Sequence, residues 1–185
     1  MIDEIYMEAE EKMEKTLNYY KEELKTVRTG RASSSLFERV MIDYYGAPTP
    51  LPQVATINVP EPRLITIQPF DPSIIKDIEK AIMSSGMGFN PSNDGRLIRV
   101  PIPQLTEERR KELVKHIKKM GEEAKLAVRN ERRDANDKIK KLEKNKEISE
   151  DEAKKATSEI QELTNEYVKK IDELTERKEK DVMEI

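Results

Sequence analysis

The sequence predicts an α+β protein, in which an elongated three-helix bundle carries a small inserted β/α/β domain. Apolar residues recur with helical periodicity at both ends of the chain, and short runs of β-branched and aromatic residues lie between prolines and glycines in the middle. Charged residues make up 38% of the chain and hydrophobic ones 36%, which is typical of long helices with narrow apolar seams. We therefore expect the bundle to comprise residues 1–30 and 105–185, and the inserted domain residues 31–104.

The first element is predicted to be an amphipathic helix. Its apolar residues are spaced three and four apart, so that they share one face. They are Ile2, Ile5, Ala9, Met13, Leu17, Tyr20, Leu24 and Val27. Gly30 follows, and we expect it to end the helix in a left-handed conformation.

The middle of the chain predicts a small sheet with one helix. The predicted strands lie in "RVMIDYY", "VATINV", "RLITIQPF" and "LIRVPIP". A helix is predicted in "DPSIIKDIEKAIMSSG", with Asp71 as its cap and Pro72 at its first position. The glycines of "SSGMGFNPSNDG" are predicted to form a turn, because their spacing fits neither a dinucleotide-binding loop nor a P-loop.

Two long helices are predicted after the middle segment. The first has Thr106 as its N-cap, and its seam consists of Leu113, Ile117, Met120, Ala124, Ala127, Ala135, Ile139 and Leu142. The second follows a predicted capping box of Ser149 and Glu152, and its seam consists of Ala153, Ala156, Ile160, Leu163, Tyr167, Ile171 and Leu174. Only two short connections then join the bundle to the inserted domain, so a hinge is predicted between them.

The sequence offers no constellation of catalytic or metal-ligating residues. It contains no cysteine, and His116 is its only histidine, so zinc clusters and Ser-His-Asp triads lack their usual parts. We expect no enzymatic activity, no cofactor and no metal. The acidic N-terminus does not resemble a signal peptide, and the longest uncharged run, residues 44–60, contains four prolines. We therefore expect a cytoplasmic protein that does not bind membranes.

Positive charge is concentrated in one part of the chain. The net charge is −3, yet residues 106–146 hold 15 basic and 9 acidic side chains, whereas residues 147–185 hold 7 basic and 13 acidic. Two explanations stay open. The helices could neutralise one another inside the bundle, or a basic face could be left for a polyanion.

The stretch "LAVRNERRDANDKIKK" places Arg129, Arg132 and Arg133 at i, i+3 and i+4 of a predicted helix. Like charges at this spacing repel by about 0.2–0.5 kcal/mol per pair. The planar guanidinium fork suits phosphate, which favours a nucleic-acid partner. Further residues extend the predicted basic stripe, namely Lys125, Asn136 and Lys140, with Lys21, Lys25 and Arg28 on the first helix. The alternative is a coiled-coil scaffold that binds a partner protein through its helices.

Six stretches carry a resemblance to a known family: "VRTGRAS" (27–33), "DYYGAPTPL" (43–51), "EKAI" (79–82), "NPSNDG" (90–95), "IRVPIPQLTEERRKEL" (98–113) and "AVRNERRDANDK" (127–138). On these stretches the chain resembles the bacterial ribosome recycling factor family over nearly its whole length. The resemblance implies an L-shaped, tRNA-like molecule with a flexible hinge. It also implies a monomer that binds large-subunit rRNA in the intersubunit space of the post-termination 70S ribosome. With elongation factor G and GTP it would separate the subunits, without hydrolysing anything itself.

The resemblance and the basic stripe together give two sets of candidate residues. The rRNA-binding set is Arg132, Arg129, Arg133, Arg28, Lys25 and Lys125. The hinge set is Thr29, Gly30, Arg31, Pro103, Gln104 and Leu105. The chain departs from the family pattern at Glu131, near the seam where Ile or Val is expected, and in "SSGMGFNP", which replaces "SDLGLNP".

Overall fold

The computed structural model describes residues 1–86 and 88–184. Met87, which belongs to the predicted glycine turn, and Ile185 lie outside the described residues. The chain divides into two compact units, Met1–Val27 with Glu108–Ile185, and Arg28–Glu107. These boundaries differ by three residues at each connection from those that the sequence predicts.

The secondary structure confirms the predicted fold class, with long helices at both ends of the chain and a small sheet domain between them. In chain order the helices and strands are α1 (Ile2–Lys25), β1 (Met41–Tyr44), β2 (Ala47–Pro50), β3 (Ala55–Glu61), β4 (Leu64–Pro69), α2 (Ile75–Ser84), β5 (Ser92–Asn93), β6 (Ile98–Pro101), α3 (Glu107–Lys144) and α4 (Glu150–Met183).

Helix α1 ends at Lys25, so the prediction that it extends to Gly30 is wrong. The backbone N–H of Thr26 donates to the carbonyl of Glu23, at 3.1 Å, and the hydroxyl of Thr26 donates to the same oxygen at 2.6 Å. A last turn tightened in this way satisfies a terminal carbonyl without a left-handed residue. Gly30 does have a positive φ of 76°, but it lies in the connection beyond the helix.

Helices α1 and α4 run parallel, and α3 runs antiparallel to both. Four contacts define these directions: Tyr167 with Glu14, Tyr20 with Thr175, Lys138 with Glu8, and Lys125 with Asp172. The predicted seam of α1 is buried from Ile5 onward, and that of α4 from Ala153 through Ile171. The predicted capping box at the start of α4 is present, with both of its hydrogen bonds formed.

The seam of α3 differs from the prediction in its middle. Gly121 and Val128 are buried there, whereas the predicted seam residues Met120 and Ala127 are only half-buried. The difference is a shift of one residue around the helix. It is confined to positions 120–121 and 127–128, where two adjacent residues flank the seam. At 120–121 the close approach of Tyr20 and Thr175 puts the glycine, not the methionine, against the other helices.

The second unit is built around an antiparallel sheet in the order β3-β4-β6-β5, with β1 and β2 forming a separate hairpin. Its buried core consists of Phe37, Val40, Ile42, Leu51, Val54, Ala55, Ile65, Ile67, Ile74, Ile75, Ile78, Ile82, Phe89, Ile98, Val100 and Ile102. The predicted helix begins with a 3-10 turn at Pro72 before α2, and the side chain of Asp71 caps it by accepting from Ser73 N at 3.0 Å.

Strands β2 and β5 were not predicted from the sequence. Strand β2 contains Pro48 and Pro50, which lack an N–H, and it can pair because β1 is its single neighbour. Strand β5 has only two residues, too few to produce a recognisable alternation. Among the helices of residues 1–86 and 88–184, none is both long and apolar enough to cross a bilayer.

Candidate nucleic-acid interface

The three arginines of the basic stripe lie in the middle of α3, beside its buried seam. Val128 and Ala135 are buried on the core side of the helix, and their side chains fix which way this part of α3 faces. Arg129 and Arg133 consequently point to solvent, while Arg132, nearer to the seam, is half-buried. The three arginines therefore lie on one side of the helix.

The arginines differ in their contacts. Neither Arg129 nor Arg133 has a hydrogen bond or an ion pair with any residue of 1–86 or 88–184. The Nη1 atom of Arg132 donates to Oε1 of Gln161 on α4 at 3.0 Å. The amide Nε2 of Gln161 donates in turn to Oδ1 of Asn165 at 2.8 Å. No carboxylate within the described chain neutralises these three arginines by direct contact.

Lys125 lies at the contact between α3 and α4, where it pairs with two carboxylates. Its Nζ lies 2.8 Å from Glu122 and 2.9 Å from Asp172 on α4, and only 15% of its side chain is exposed. The hydrogen bonds to both carboxylates raise the pKa of Lys125, so its ammonium group stays charged. Lys125 thus links α3 to α4, and much of its charge is already matched.

The sequence predicts that Lys25 and Arg28 both lie on the first helix, but only Lys25 does. Lys25 is the last residue of α1 and forms an exposed ion pair of 3.0 Å with Glu22. Arg28 lies beyond the helix and belongs to the second unit. There its guanidinium group stands 4.7 Å from the ring centre of Phe89, in cation–π contact.

The six predicted hinge residues all belong to the second unit. Both connecting segments are held by the turn between β3 and β4, which sequence reasoning did not single out. The N–H of Ala32 donates to the carbonyl of Pro62 at 2.7 Å, and that of Ile102 to the carbonyl of Arg63 at 2.8 Å. The guanidinium of Arg63 also donates to Oε1 of Gln104 at 3.1 Å. The turn at residues 62–63 thus joins the two connections to one another.

The described residues contain no group of three or more His, Asp or Glu side chains arranged to hold a metal ion. The feature that stands out is the patch of arginine charge on α3, bordered on α4 by uncharged amides. Such a surface can bind an anion with several charges, because each exposed guanidinium can donate two parallel hydrogen bonds to phosphate.

Comparison with known proteins gives three consistent results. The family model described as "Ribosome recycling factor" matches residues 20–183. A ribosome-recycling factor of Geobacillus sp. (strain WCH70) is 58% identical over 185 residues, covering 100% of both chains. A solution structure of a ribosome recycling factor has a TM-score of 0.83 and 44% identity, covering 100% of this chain and 98% of that one.

A second solved structure shows a relative together with a partner. It gives models for the T. thermophilus ribosome recycling factor and the E. coli elongation factor G bound to the E. coli post-termination complex. That recycling factor is 45% identical to this chain, with a TM-score of 0.69 and 98% of each chain covered. On matches of this extent, together with the fold, the chain belongs to the ribosome recycling factor family.

Proposed function

We propose that this protein is a non-enzymatic translation factor that separates the subunits of the post-termination ribosome, together with elongation factor G and GTP. The observation that carries the proposal is the family match over almost the entire chain. It is supported by the related factor that is bound, with elongation factor G, to a post-termination complex. In this proposal the protein acts in the cytoplasm as a monomer, within the space between the two subunits.

The arginine face of α3 is the proposed anchor on large-subunit rRNA. Arg129 and Arg133 have no partner among the described residues, so their mutual repulsion with Arg132 is uncompensated in the free protein. That repulsion amounts to about 0.2–0.5 kcal/mol per pair. A hydrogen bond to a charged phosphate contributes roughly 1.5–3 kcal/mol, which more than offsets the repulsion once RNA is bound.

The other candidates take secondary places in the interface. The exposed pair of Lys25 with Glu22 is worth little in water, so Lys25 can exchange its carboxylate for phosphate. Lys125 would contribute less to RNA binding, because two carboxylates already neutralise it. Arg28 would reach RNA from the second unit, with its guanidinium plane supported by Phe89.

The mechanical part of the proposal concerns the hinge. Elongation factor G would move the second unit about residues 29–31 and 103–105, and the bundle would transmit the force to RNA contacts between the subunits. The hydrogen bonds of the 62–63 turn support this idea. They tie both connections to the same turn, so that the second unit would move as one body about adjacent points.

Sedimentation of the protein with ribosomal large subunits across a salt series tests the proposal. Each phosphate contact contributes a slope of about −0.7 to −0.9 to log affinity against log salt. We expect the slope to equal the sum of several such contacts. With post-termination ribosomes in place of large subunits, we expect faster subunit separation when elongation factor G and GTP are added. Salt-independent binding with no effect on separation would instead support the scaffold alternative.

A further inference from the structure

We propose that Gln161 on α4 is a positioning residue for Arg132, and that Asn165 sets the orientation of the Gln161 amide. In this arrangement α4 prepares the arginine for phosphate without neutralising its charge. The inference rests on the proposed function, since it concerns how the arginine face binds RNA.

The hydrogen bonds form a chain with a fixed direction. A guanidinium group can only donate, so the group that holds it must be an acceptor. An amide has an acceptor end and a donor end, and Asn165 Oδ1 accepts from the Nε2 end of Gln161 at 2.8 Å. The Oε1 end is thereby directed to Arg132, which it contacts at 3.0 Å. Gln161 and Asn165 are four residues apart on α4, the spacing at which helical side chains meet.

The side of α4 near α1 carries carboxylates, whereas the residues of α4 that meet Arg132 are uncharged. Three of its carboxylates act electrostatically on Tyr6 of α1, and they are Glu159, Glu162 and Glu166. On the side that meets Arg132, the contacting residues are the neutral Gln161 and Asn165. Two turns further along, Asp172 forms an ion pair with Lys125. Lys125, beside the arginine face, is therefore paired with a carboxylate, whereas Arg132 is hydrogen-bonded to a neutral amide.

A neutral acceptor has two consequences for RNA binding. A carboxylate at position 161 would neutralise the charge of Arg132, and phosphate would have to displace it. The amide of Gln161 carries no charge, so it leaves Arg132 positive and does not compete with phosphate. Holding one N–H of a flexible arginine also reduces the conformational entropy that binding removes, which is the general benefit of preorganisation. The remaining guanidinium donors have no contact with other described residues, so they are available to a phosphate.

The test measures large-subunit binding across a salt series for Gln161→Met, which keeps length and volume but removes the acceptor. Losing the preorganisation of one long side chain should weaken binding about 2- to 12-fold at fixed salt. The salt slope should equal that of the wild type, because Arg132 still reaches phosphate. Arg132→Ala should make the slope shallower, reducing its magnitude by about 0.7–0.9, because one phosphate contact is lost. The melting temperature of Gln161→Met should stay within about 2 °C of the wild type.

Three further variants separate positioning from other roles. Asn165→Leu should weaken binding in the same direction but less than Gln161→Met does, since the Gln161 amide keeps its acceptor but loses the contact that fixes its orientation. Gln161→Glu should weaken it further, although it keeps an acceptor, because its charge competes with phosphate. The double variant Arg132→Ala, Gln161→Met should bind like Arg132→Ala alone, because Gln161 acts only through Arg132.

The outcomes distinguish this inference from the proposed function. If Gln161→Met binds like the wild type while Arg132→Ala is weakened, positioning by Gln161 is refuted and the arginine face stands. If Gln161→Met also weakens the Arg132→Ala background, Gln161 acts on RNA by itself, and the inference fails. If Arg132→Ala binds with wild-type affinity and slope, the assignment of the RNA face fails as well.

Discussion

The hydroxyl of Thr16 on α1 donates a 2.6 Å hydrogen bond to Oε1 of Glu131 on α3. The other carboxylate oxygen of Glu131 is buried and has no partner among the described residues. Burial raises the pKa of Glu131, although the hydrogen bond from Thr16 and the charge of Lys12 act in the opposite direction. The position where the family pattern expects an apolar residue thus holds a carboxylate that is only half satisfied.

Glu131→Ile should stabilise the protein by about 1 kcal/mol at pH 7, because it removes a buried oxygen without a partner. Thr16 would keep an acceptor, since its hydroxyl also lies 3.1 Å from the carbonyl of Lys12. In the wild type, Glu131 binds its proton more tightly when folded, so stability falls as the pH rises above the ordinary value of 4.5. The advantage of the variant should therefore be smaller at pH 4 than at pH 7.

Urea unfolding of the two proteins at both pH values measures this difference. Glu123→Ile, at an exposed position of the same helix, is the matched control and should change the free energy of unfolding by less than about 0.5 kcal/mol. A gain for Glu131→Ile that is equal at pH 4 and pH 7 would show that ionisation of Glu131 plays no part.

Gly121→Ala should destabilise the bundle, although alanine is the better helix former by about 1 kcal/mol. A Cβ at this position would lie 2.7 Å from Thr175 Oγ1 and 3.2 Å from the hydroxyl of Tyr20. These two hydroxyls are hydrogen-bonded to one another, and Thr175 also donates to the carbonyl of Ile171 at 2.8 Å. Neither can withdraw freely, so we expect a net loss of about 1–2 kcal/mol in thermal unfolding.

The Thr175→Ala background provides the control for this crowding. There the contacting side-chain atoms of Thr175 are gone and the hydroxyl of Tyr20 has lost its Thr175 partner, so it can move away from the added Cβ. Gly121→Ala should then become neutral or stabilising. A higher melting temperature for Gly121→Ala in the wild-type background would mean that the close approach at Gly121 costs nothing.

Gly121 also illustrates what sequence reasoning could and could not predict. Periodicity predicts Ile117 and Ala124 as seam residues of α3, and both are buried. It gives no weight to a glycine between them, because the reason for that glycine is the Tyr20–Thr175 pair on two other helices. Gln161 likewise lies beside Arg132 because two different helices pack together, which periodicity within one helix does not reveal. Local signals, such as the capping box of Ser149, were predictable because every participant lies within four residues.

The bundle should fold without the inserted domain, because its seam residues all come from outside residues 31–104. Joining Thr29 to Leu105 through a short glycine linker should give a helical protein with a cooperative thermal transition, measured by circular dichroism. An unfolded chain would contradict the interpretation of residues 31–104 as an insertion.

Locking the hinge should slow subunit separation but leave ribosome binding unchanged, since motion is needed only for the mechanical step. The chain contains no cysteine, so one thiol introduced beyond the hinge, in residues 32–102, and one introduced in the bundle can be joined by a rigid cross-linker without competing native thiols. The same double-cysteine protein before cross-linking is the control. Equal separation rates for both forms would remove the hinge from the mechanism.

The central claim is that Arg132 serves RNA binding and not the stability of the bundle. Ribosome affinity and melting temperature, measured together for Arg132→Ala, test it most directly. Lys154→Ala and Lys169→Ala are the controls on the acidic helix α4, and they should leave the affinity unchanged. Arg132→Lys should recover only part of the affinity, because a point charge does not reproduce the two-pronged contact.

For Arg132→Ala we predict a loss of affinity of about 10-fold or more at fixed salt, with a melting temperature that is unchanged or slightly higher. Wild-type affinity combined with a melting temperature several degrees lower would contradict the account, because Arg132 would then be a structural residue of the bundle.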